Sequence, residues 1–131
     1  MSEPTLEKLK ERINGLDFQS EGNARWQLFA PTSRRRNDVP VDCKLMQSLT
    51  GRTCVDHPYS TFDSFFEHET NPAVQPQFEQ YKVLRESMIE MLETRKVFWM
   101  TGSGNYNLQI YVVGIDYQNN LVGITVGATE T

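Results

Sequence analysis

The sequence predicts an α+β fold: a mainly antiparallel sheet with a C-terminal strand meander, covered on both faces. The first observation is the stretch 107–131, NLQIYVVGIDYQNNLVGITVGATET. Leu108, Ile110, Tyr111, Val112, Val113 and Ile115 form one β-branched and aromatic run, and Leu121, Val122, Ile124, Thr125 and Val126 form another. Gln118, Asn119 and Asn120 lie between them, and Asn tolerates the left-handed backbone of tight turns, so the runs pair antiparallel. The second observation is that neighbouring positions in both runs are apolar, so helices or a second sheet must cover both faces. The third is the helical stripe of Phe78, Tyr81, Leu84, Met88, Met91 and Leu92, which predicts a helix from about Gln77 to Arg95 lying on one face.

The remaining elements follow in chain order. Leu6, Leu9 and Ile13 recur at helical spacing behind a capping Thr5, with Glu7 in the first turn and Asn14 and Gly15 as the stop. Leu16 to Ser20 and Trp26 to Ala30 read as short strands, with Glu21, Gly22 and Asn23 as the turn, so Glu21 sits at a tip. Pro31 to Pro40 is a polar connection whose Arg34, Arg35 and Arg36 read as a solvated run, because no aromatic residue interleaves with them. Leu45, Met46 and Leu49 predict a short helix ended by Gly51, and Ser60 to Phe66 another, capped by Ser60 or Thr61. Asn71, Pro72 and Pro76 interrupt the chain before the long helix. Val97 to Thr101 supplies a strand, and Ser103 to Asn107 turns into the meander.

A length of 131 residues fits one domain spanning 1–131. Hydrophobic residues make up 38% and mean hydropathy is −0.53, which places the chain among folded proteins with a polar surface. The start, MSEPTLEKLKER, has neither a basic nor an apolar leader region, and no apolar stretch is long enough to enter a membrane. A net charge of −4 and a pI near 5.2 argue against direct nucleic-acid binding, which needs a basic surface, and suit a basic partner. Cys43 and Cys54 form no C-x-x-C motif and are expected to be small buried thiols in a cytoplasmic protein.

The search for chemistry returns little. His57 and His68 are the only histidines and are expected at the surface; Glu67-His68-Glu69 lacks the second histidine of a zinc-protease helix. There is no P-loop, dinucleotide fingerprint or G-x-S-x-G elbow, and Gly102-Ser103-Gly104 reads as a turn. The expectation is a non-enzyme with no cofactor and no metal of its own. A hydrolase would need His57 or His68 in a pocket with a carboxylate.

Five pieces, in order, carry a resemblance: GLDFQSE (15–21), DSFF (63–66), IYVVG (110–114), NLVGI (120–124) and the end Glu130, Thr131. Together they resemble the nuclease A inhibitor family of cyanobacteria. The resemblance implies a three-layer α/β/α sandwich around an antiparallel sheet. It also implies stoichiometric inhibition of a metal-dependent, sugar-nonspecific nuclease by a protein that is a monomer alone. Glu21 matches the family's metal-directed glutamate, and Thr131 its C-terminal residue, whose carboxylate acts near the same active site. Asn23 beside the tip and Glu130 beside the end complete the expected partner-binding set. Mg²⁺ prefers oxygen ligands and keeps waters, so a loop carboxylate is able to replace a water or bond to one. The segment EHETNPAVQPQ (67–77) departs from the family pattern, lacking a tryptophan and most of an acidic run used in partner contact. An alternative reading is therefore a non-enzymatic binding module of the same fold that serves a different protein.

Overall fold

The structure, a computed structural model, describes residues 3–20, 22–31 and 39–130. Helix α1 spans Glu3–Ile13, followed by strands β1 (Asp17–Gln19), β2 (Asn23–Arg25) and β3 (Gln27–Phe29). Helices α2 (Cys43–Thr50), α3 (Phe62–Glu69) and α4 (Phe78–Met91) come next, then β4 (Glu93–Thr101), β5 (Leu108–Ile115) and β6 (Leu121–Ala128). Strands β1 and β2 form a two-stranded sheet, and the other four make an antiparallel sheet in the order β3-β6-β5-β4. The predicted α+β class and C-terminal meander are both present.

The apolar neighbours of the meander divide between two faces. Ile110 and Val112 of β5, with Val122, Ile124 and Val126 of β6, join a core with Leu9, Ile13, Phe65, Phe66, Tyr81, Leu84 and Met88 of α1, α3 and α4. Tyr111, Val113 and Ile115 point the other way, into a second core with Leu121, Val41 and Met46. Met46 is fully buried and comes from α2, so a helix covers each face and the architecture is a three-layer sandwich. Truncating such a fully buried Met to Ala costs about 2–5 kcal/mol.

Local chemistry explains most element boundaries. Asp42 caps α2 by accepting from the Leu45 amide, and Gly51 ends it in the left-handed conformation (φ 71°). Thr61 caps α3 in a reciprocal box with Ser64. In the β5–β6 turn, Asp116 Oδ1 accepts from the amides of Gln118 and Asn120, and Asn119 takes φ 63°.

Several expectations are corrected. Thr5 lies inside α1 and is buried instead of capping it; Pro4 has no N–H to lose in a first turn, which lets the helix begin upstream. Asn23 opens β2 instead of lying in the turn, because Gln19 pairs with Asn23. The long helix stops at Met91, not near Arg95. Leu92 is extended, and Arg95 folds back to donate to the Leu92 carbonyl at 2.5 Å, satisfying a helix-end acceptor from the following strand.

Cys43 and Cys54 are half-buried and disulfide-bonded instead of being buried thiols. The turn at Gly51 returns the chain so that Cys54 bridges to Met100 of β4, and the two Cα atoms come to 6.2 Å, within disulfide range. Disulfides persist in oxidising surroundings, so the free-thiol argument for a cytoplasmic address no longer applies. Among the described residues no helix is long and apolar enough to cross a membrane. Arg34 to Arg36 lie outside the described residues.

Candidate partner-facing site

The β1–β2 hairpin carries the tip at which Glu21 was expected, and α4 and the segment before it hold that hairpin by side chains. Gln77 accepts from the Asp17 amide at 2.8 Å and donates to the Gly15 carbonyl at 2.9 Å. Gln75 donates to the Gln19 carbonyl at 3.3 Å. The Tyr81 hydroxyl donates to the Asp17 carbonyl at 2.7 Å and accepts from the Trp26 indole at 2.9 Å. Tyr81 is fully buried, and burial raises its hydroxyl well above the ordinary phenol range, so it remains a donor. Under the hairpin, Phe18 meets Trp26, Phe65 and Trp99 in ring contacts of 5.8–6.5 Å.

Glu21 itself lies outside the described residues, as does Thr131; their neighbours locate the two segments. The Ser20 amide donates to the Gly22 carbonyl at 3.0 Å. The Ser20 hydroxyl accepts from the Thr129 amide at 3.0 Å, across 109 residues of sequence. The hairpin tip and the end of β6 are therefore adjacent. Asn23 is exposed and lines a polar cleft of about 580 Å³ with Asp17, Arg25, Gln27, Gln109 and Thr125.

Glu130 is half-buried and bonded on two sides. The Asn107 side chain donates to its carbonyl and accepts from its amide, the latter at 3.0 Å. Its carboxylate lies 3.0 Å from His57 Nε2. His57 Nδ1 accepts from the Tyr59 amide at 3.2 Å, which assigns the ring proton to Nε2, facing Glu130.

Both histidines were expected at the surface, and both are instead built into packed structure. The His57 ring stacks on Trp99 at 3.4 Å and an interplanar angle of 6°, and its side chain is only 10% exposed. His68 stacks on Tyr59 at 4.0 Å and bonds to Glu69 at 2.6 Å. Glu69, at 2% exposure, also accepts from Gln75 at 2.5 Å. Burial pushes the Glu69 carboxyl above its ordinary value of 4.5, with His68 and Gln75 pulling it down and Glu130 adding to the rise. A continuous path thus runs from Glu130 through His57, Tyr59, His68, Glu69 and Gln75 to Gln19 of the hairpin.

The family model described as NuiA, nuclease A inhibitor-like protein, matches residues 3–131. The chain belongs to the nuclease A inhibitor-like family. No curated protein matches it. Residues 67–77 supply Glu69, Gln75 and Gln77 to the contacts behind the hairpin. Ser20, His57, Gln75, Gln77 and Asn107 are the site residues that sequence reasoning missed. Each has a partner between 23 and 109 residues away, and no local pattern marks a contact of that range.

Proposed function

We propose that the protein is a stoichiometric inhibitor of a metal-dependent, sugar-nonspecific nuclease, and that it blocks the active site with Glu21 and the C-terminal carboxylate of Thr131. Asn23 and Glu130 flank these two groups in the proposed contact patch. The observation that carries this reading is the Ser20–Thr129 hydrogen bond, which joins the residue before Glu21 to the residue two places before Thr131. Two carboxylates on adjacent, anchored segments suit a basic cleft that holds a divalent cation. The acidic balance of the chain, −4, favours the same partner and disfavours direct nucleic-acid binding.

The protein is not an enzyme in this reading. His57 has one ring nitrogen committed to Glu130 and the other to a backbone amide, so it offers no site for a substrate proton. Inhibition proceeds by occupation: a standard-sized interface of about 1,600 Å² in total excludes the nucleic-acid substrate. Titrating a nuclease of this class with the protein should extinguish activity near one equivalent. A nuclease that stays fully active under excess protein, together with recovery of a non-nuclease partner from the source cell, would favour a binding module of the same fold.

A further inference from the structure

We infer that Glu130 is an anchor, held by His57 and Asn107, which act as positioning residues for the segment that follows β6. This rests on the inhibitor reading above and assigns Glu130 an inward task within it. Strand β6 ends at Ala128, opposite Leu108, and past that point the Gly102–Asn107 turn draws the neighbouring backbone away. The Asn107 carboxamide replaces the missing rung: it takes both main-chain groups of Glu130, as a facing strand residue would. Thr129 is fastened on both sides, its amide to Ser20 and its hydroxyl to the Asn105 carbonyl at 3.3 Å.

The Glu130 side chain adds a third point of attachment. Its oxygen meets a ring that is fixed at Nδ1 by the Tyr59 amide, at Nε2 by Glu130 itself, and on one face by Trp99. Trp99 is 3% exposed and donates its indole N–H to the Tyr59 carbonyl at 2.9 Å, so the support beneath the ring is rigid. The hydrogen bond needs an acceptor at position 130 and does not need a charge. An anchor and a partner contact therefore respond differently to the removal of charge.

The test compares Glu130→Ala, Glu130→Gln and Asn107→Ala in two measurements. One is hydrogen exchange of the residue-130 amide in the free protein. The other is stoichiometric inhibition of a metal-dependent, sugar-nonspecific endonuclease. Glu130→Ala, which loses one ordering hydrogen bond, and Asn107→Ala, which loses two, should speed the exchange and weaken inhibition by about tenfold or more. Glu130→Gln, which keeps the acceptor, should recover most of both. Equal losses of inhibition in Glu130→Gln and Glu130→Ala would assign the carboxylate to partner contact and overturn the proposal. If even the wild type fails to inhibit, the inhibitor reading falls, and the exchange rates alone decide the anchor: an unchanged rate in Glu130→Ala overturns it.

Discussion

The backbone amide of Thr129 donates to the Ser20 hydroxyl at 3.0 Å, fastening the end of β6 to the turn of the β1–β2 hairpin. Each segment also has its own support. Gln75, Gln77 and Tyr81 hold the hairpin, and Asn107 and His57 hold the residue after Thr129. Removing the Ser20 hydroxyl by Ser20→Ala should cost about 1–2 kcal/mol of stability, because the hydroxyl accepts from Thr129 and also donates to the Gly22 carbonyl at 3.1 Å. The Thr129 amide should then exchange faster, and inhibition should weaken. Urea unfolding together with amide exchange checks this, and Ser20→Thr should restore the bond.

Tyr81→Phe should be more damaging than its single lost oxygen suggests. The Trp26 indole N–H would lose its partner in a buried setting, and the Asp17 carbonyl in a part-buried one. The expected cost is about 1–3 kcal/mol for each buried group left unsatisfied. Chemical denaturation measures it, and a loss below about 0.5 kcal/mol would mean that water replaces the hydroxyl.

Glu69 gives stability a defined dependence on pH. A carboxyl whose folded pKa is raised binds its proton more tightly in the folded chain. The Glu69 contribution to stability is therefore highest below the unfolded value of 4.5 and falls as pH rises from there through the raised folded value. Glu69→Gln removes this dependence, while the facing groups His68, Gln75 and Glu130 remain in both proteins. The difference in unfolding free energy between wild type and Glu69→Gln should therefore shift against the wild type as pH rises above 4.5 and then level off. Parallel curves would contradict the burial argument.

Reducing the Cys43–Cys54 bridge should cost roughly 2–3 kcal/mol, given the short loop closed by a sequence separation of 11. The segment past Cys54 keeps its hydrogen bond from Val55 to the Trp99 carbonyl at 2.8 Å, so the fold should survive reduction. Thermal unfolding with and without a thiol reductant checks both statements.

The sequence was legible where the controlling chemistry is local. Asn119 in the β5–β6 turn, Gly51 after α2 and Thr61 before α3 each act on their own neighbours, and each performs the expected role. It was illegible where distant residues decide. Glu67-His68-Glu69 looks like any solvated acidic stretch, and only packing against Tyr59 and Gln75 buries Glu69 and stacks His68. The end of α4 was misread for a related reason: Leu92 continues the apolar helical stripe and is buried, yet it does so from extended backbone. The cysteines carried no pairing signal until the turn at Gly51 brought them together.

The most direct test of the central claim is titration of a metal-dependent, sugar-nonspecific nuclease with wild-type protein and with Glu21→Ala, each confirmed folded by its unfolding midpoint. Nuclease activity should be lost near one equivalent of wild type. Glu21→Ala should weaken inhibition by about tenfold or more, since a hydrogen bond to a charged group is worth about 1.5–3 kcal/mol. Full nuclease activity in excess wild type, or equal inhibition by Glu21→Ala, would contradict the central claim.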